Sequence, residues 1–95
     1  MALLSLLSAT DVQHQLAESV RYKRKQMKFS RQALADRSTV PASTIKKFET
    51  TGQISLRQFI LLWQCVDRLE NLATLTKKPK RMPGTINEVL RNDAE

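Results

Sequence analysis

Cysteine and histidine are nearly absent from this chain. Cys65 is the only cysteine and His14 the only histidine. No internal disulfide can therefore form and no cysteine-based metal site can be assembled. A histidine-dependent triad or zinc site has almost nothing to draw on. Glycine occurs twice and proline three times, with no glycine-rich loop of the kind that cradles phosphates. No nucleophile stands beside a base and the carboxylates are scattered, so an enzyme is not expected, and no cofactor or metal is expected either. No apolar run is long enough to cross a bilayer. The opening MALLSLLSAT is apolar but lacks a basic leading region and a clear small-residue cleavage site. The expectation is a cytoplasmic protein with no membrane partner.

What the sequence does have is positive charge and helical patterning. In 95 residues, 16 Lys and Arg face 9 acidic residues, for a net charge of +7 and a pI near 10.1. That balance favours a polyanionic partner, nucleic acid before a membrane surface. The length and the 41% apolar content suit one small domain with a single core.

Along the chain, Thr10-Asp11-Val12-Gln13 fits a capping box with Thr10 as N-cap. Val12, Leu16 and Val20 then recur at helical spacing, predicting a first helix over about 11–27 with that face inward. Its end is densely basic, with Arg21, Lys23, Arg24, Lys25 and Lys28, which suits a helix C-terminus without any further role. Ser30 can cap a second helix over about 31–37. Proline suits the first turn of a helix, so a third begins near Pro41 and runs to about Thr50, with Gly52 ending it. Ser55 can cap a fourth, over about 56–66, too apolar for a narrow stripe and so either central or shared with a partner. A short helix over about 68–75 follows. His14 reads as an exposed helix residue, Cys65 and Trp63 as core. Strand signals are weak, and the expected fold is all-α. Residues 1–10 form an apolar extension, 11–75 the domain, and 76–95 a basic linker with a small helix. That helix is marked by a second capping box, Thr85 to Glu88, and by Ile86, Val89 and Leu90.

Residues 30–49, SRQALADRSTVPASTIKKFE, carry the function. Two short helices flank a tight turn. A helix-turn-helix needs a small residue where its helices cross, apolar anchors facing the body, and polar side chains exposed along the second helix. Ala35 is the small residue. Leu34, Val40, Ile45 and Phe48 are the anchors, which leaves Ala42, Ser43, Lys46 and Lys47 facing outward.

The stretch resembles the helix-turn-helix of the Cro/cI (Xre-type) repressor family. That family has Leu-Ala, a Gly-Val-Ser-like turn, Thr-Ile and a closing Glu; this chain has Leu34-Ala35, Thr39-Val40-Pro41, Thr44-Ile45 and Glu49. The likeness extends over about 15–75, with Ser55-Leu56 opening the fourth helix in the familiar place. The run from Thr44 to Glu49, with its Phe48, is most similar to the HipB antitoxins. Two positions depart from the pattern. Thr39 replaces the usual turn Gly, which strains a β-branched residue if φ there is positive. Pro41 replaces the usual capping Ser.

The resemblance implies a five-helix domain that works as a twofold dimer on palindromic operator DNA, as a transcriptional repressor. It implies base contacts from Ala42, Ser43, Lys46 and Lys47, a lysine donating to guanine and Ala42 touching a thymine methyl. Phosphate contacts are expected from Ser30, Arg31, Thr44, Thr50 and Arg57, and a dimer or partner surface from Leu4, Leu7, Phe59, Trp63 and Leu72. It implies a HipA-like kinase toxin as partner, with room for a third small operon protein. Two other functions stay open: a stand-alone phage-type or chromosomal regulator, and an interaction module that neutralises a toxin through its C-terminal tail. The basic segment from Lys77 to Arg81 correspondingly reads as a DNA-contacting arm, a solvated linker or a docking site for an acidic partner.

Overall fold

Three serines start three helices. In the computed structural model, which describes residues 6–78, the hydroxyl oxygens of Ser8, Ser30 and Ser55 accept from the backbone N–H of Asp11, Ala33 and Gln58 at 3.0–3.1 Å. Each satisfies a first-turn donor that the helix itself leaves unpaired. The helices are α1 (Ala9–Gln26), α2 (Arg31–Ser38), α3 (Ala42–Thr51), α4 (Leu56–Val66) and α5 (Leu69–Ala73), followed by a 3-10 turn over Thr74–Thr76. The described residues are all-helical. Leu3, Leu4 and the tail beyond Lys78, including the second capping box, lie outside them; Lys77 and Lys78 are exposed.

Helix α1 starts earlier than Thr10 and Gln13 suggested. The capping box is formed by Ser8 and Asp11, whose carboxylate accepts the Ser8 N–H at 3.0 Å. A carboxylate at the positive end of a helix is the stronger partner. Gln13 turns instead to α3, giving its side-chain N–H to the Gly52 carbonyl at 3.2 Å. The inward stripe of α1 is likewise displaced. Val12 and Leu16 are 39% and 37% exposed, while Ala17 and Val20 are buried. The buried stripe runs Ala17, Val20, Arg24, at helical spacing, and ends on a charged residue.

Each helix end is explained locally. Helix α1 closes with Lys28 in the left-handed region (φ 61), its N–H bonded to the Lys25 carbonyl and that of Phe29 to the Arg24 carbonyl; this is a Schellman arrangement on a non-glycine residue. Helix α2 ends on Thr39, also left-handed at φ 66, whose N–H reaches the Ala35 carbonyl at 2.9 Å. Pro41 opens α3 with no side-chain cap, its φ of −58° already suited to the helix. Gly52 ends α3 at φ 78, and a Cβ there would stand 3.1 Å from Gln13 Cβ. Both the backbone and the crossing of α1 over α3 require glycine.

Leu34, Val40, Ile45, Phe48 and Leu62 are almost fully buried, together with Val20 of α1. Ala35 is buried between α2 and its neighbours, as a close crossing needs. Phe48 meets Phe59 edge-on with ring centres 5.9 Å apart, the favoured geometry for an aromatic pair. Ser38, buried in the turn, accepts the Val40 N–H at 3.1 Å and so leaves no polar atom unpaired. Helix α5 packs on α4 at the edge of this core.

Candidate functional site

Helix α3 is short and two-sided. Ile45 and Phe48 anchor one side in the core; Ser43, Lys46, Lys47 and Thr50 are exposed on the other. The spacing of 43, 47 and 50 follows the helical repeat, so these positions share a face. Two ammonium groups stand there with no carboxylate paired to either: among the described residues no ion pair involves Lys46 or Lys47. Ala42 does not join them. It is half-buried and packed on the core, because the first turn of α3 leans into the body, and Thr44 is half-buried too.

The phosphate candidates divide. Arg57 is exposed near the start of α4. Ser30 is exposed; its hydroxyl oxygen accepts the capping bond of α2 and its O–H remains available to donate. The Thr50 hydroxyl hydrogen is directed at the Lys46 and Lys47 carbonyls at 3.0 and 3.1 Å, so it is occupied within the helix. Arg31 is neither free nor buried. Its side chain is 38% exposed and its Nε–H donates to Glu49 Oε1 at 2.9 Å.

Glu49 is the residue whose role its position in the sequence does not reveal. Its side chain is 1% exposed and lies between two guanidinium groups. Arg24 donates from Nε to Oε2 at 2.7 Å and from Nη2 to Oε1 at 3.0 Å, a two-pronged pair, and gives Nη1–H to the Phe29 carbonyl at 2.8 Å. Burial pushes the Glu49 carboxyl up, but the bonds from Arg24 and Arg31 outweigh it and hold the group below its ordinary range. Arg24 is thus not part of a solvated basic cluster at the end of α1, as its neighbours in sequence suggest; it is buried. The signal that could have found it is its place one helical turn, four residues, beyond the buried Val20.

The residues expected at a partner surface differ in exposure. Phe59 is buried against Phe48. Leu72 is half-buried on the core. Trp63 is half-buried, with its indole N–H given to the Arg68 carbonyl at 2.9 Å and Lys23 Nζ 5.5 Å from its ring centre. Lys23 also pairs with Asp67 at 3.0 Å, so Trp63 is tied to its own chain. The apolar side chains α4 leaves outward are Leu56, 74% exposed, with Ile60 and Leu61 partly covered. Leu7 is 53% exposed. A shallow apolar hollow between α1, α3 and α4, lined by Gln13, Leu16, Phe48, Gly52, Ile54, Leu56 and Phe59, contains no titratable group. Cys65 is half-buried, and burial pushes its thiol up, away from the reactive thiolate.

Among the described residues no helix is long and apolar enough to cross a membrane. Comparison with models of protein families, with curated proteins and with solved structures finds no match to the chain.

Proposed function

We propose that the chain binds double-stranded DNA as a dimeric, sequence-specific repressor, with α2 and α3 as its helix-turn-helix and α3 in the major groove. The observation that carries this is the exposed face of α3, where Ser43, Lys46 and Lys47 project, the lysines without an ion-pair partner among the described residues, from a helix pinned on its other side by Ile45 and Phe48. A groove-reading helix needs that combination of rigid backing and free donors. The partly exposed Arg31 beside the last turn of α3, and the net charge of +7, supply cations for the phosphate backbone. Lys46 and Lys47 would donate to base edges; Arg31 and Arg57 would set register on phosphates. The antitoxin role, with a HipA-like kinase toxin as partner, rests on the resemblance of residues 44–49 to the HipB group.

Two substitutions test the assignment. Lys47→Ala should reduce discrimination between the preferred site and other duplexes, by about 1–3 kcal/mol if it reads a base. Arg31→Ala should weaken binding to all duplexes alike. A Lys47→Ala protein with unchanged affinity and unchanged sequence preference removes α3 as the reading helix.

A further inference from the structure

Glu49 carries one negative charge and is engaged by two guanidinium groups. Arg24 alone already satisfies it in two-pronged fashion. The three side chains together keep an excess of one positive charge, and Arg31 is their outward member, 38% exposed against 7% for Arg24. Arg31 gives only Nε–H to the carboxylate. Its two Nη groups, with four N–H donors, have no hydrogen-bond partner among the described residues. A fork of planar donors matches the oxygens of a phosphate.

We propose that Glu49 is a positioning residue for DNA binding: it fixes Arg31 through Nε so that the free Nη edge meets a backbone phosphate. This rests on the DNA-binding reading above. The physical gain is preorganisation. A free arginine loses side-chain entropy on docking, whereas one already held has lost it on folding. There is a geometric gain as well. Arg31 is the first residue of α2 and Glu49 lies in the last turns of α3. Their bond fixes the phosphate contact relative to the exposed face of α3, so register and base reading are set by one rigid unit.

The test uses a mixed-sequence duplex of about 30 base pairs, which needs no knowledge of the operator. Arg24→Met/Glu49→Leu removes the buried carboxylate together with its buried partner, so no unpaired charge remains in the core, and it leaves Arg31 in place but unheld. We expect about tenfold weaker duplex binding, the scale of one charge-assisted hydrogen bond. The slope of log affinity against log salt should become shallower by about 0.9, one phosphate contact. Adding Arg31→Ala should then cost nothing further. Affinity and slope equal to wild type in the folded variant, or a full Arg31→Ala loss on top of it, overturns the positioning role. Arg31→Lys gives an independent arm that leaves the core untouched: the charge stays but the Nε-plus-fork geometry goes, and the same tenfold loss is expected. Wild-type affinity in Arg31→Lys overturns the inference by itself. Failure of the wild-type protein to bind any duplex is a different result, and defeats the DNA reading on which the inference stands.

Discussion

Thr39 holds a left-handed backbone, φ 66, on a β-branched side chain. That conformation crowds Cβ against the carbonyl and costs about 1–2 kcal/mol relative to glycine. It persists because its neighbours leave no alternative: Val40 is buried on one side, Ser38 on the other, and the Thr39 N–H closes α2. Thr39→Gly should raise the unfolding free energy by about 1 kcal/mol, part of the relief being returned as unfolded-chain entropy. Urea unfolding followed by circular dichroism measures it, and a lowered midpoint contradicts the strain. The conformation was legible at Thr39, where the resembling family has glycine. It was not legible at Lys28, which is equally left-handed, because no glycine or asparagine stands there to mark a left-handed residue, although the basic run and Ser30 bracket the end of α1.

Helices α2, α3 and α4 could be placed from sequence because each announces itself: Ser30 and Ser55 as caps, Pro41 and Gly52 as the two ends of α3. Helix α1 misled for a physical reason. Its buried stripe is Ala17, Val20 and Arg24, the last satisfied by a distant partner, Glu49. A hydrophobic pattern cannot show a stripe made of one small residue, one valine and one arginine, and points instead to the larger Val12 and Leu16. The same hidden pairing governs how these helices respond to acid. Glu49 has a folded pKa below its ordinary value, so its contribution to stability is fully present above about pH 4.3, the unfolded range, and is lost as pH falls through the lower folded value. Asp11 is held low mainly by its backbone bond from Ser8, and Asp67 mainly by that from Arg68. Both remain in Arg24→Met/Glu49→Leu. Urea unfolding at pH 7 and at pH 3 should therefore show a larger acid loss for wild type than for that variant. Equal losses would mean that Glu49 is not held in its charged form by the two arginines.

For the molecule as a whole, the helical body and the exposed face of α3 follow from sequence pattern, whereas the pairing of Arg31 with Glu49 depends on two helices meeting 18 residues apart. No local pattern encodes such a meeting. The exposure of α4 was illegible for the same reason: Phe59 and Leu56 are equally apolar letters, and only packing buries the first and exposes the second. A net charge of +7 makes some attraction to any polyanion inevitable, so binding alone says little. Footprinting the purified protein on the DNA upstream of its own coding sequence, at two salt concentrations, is the most direct measurement. A dimeric groove reader protects an inverted repeat with half-sites about 34 Å apart, and protection weakens steeply at the higher salt. No protected repeat at either concentration would contradict the proposed function.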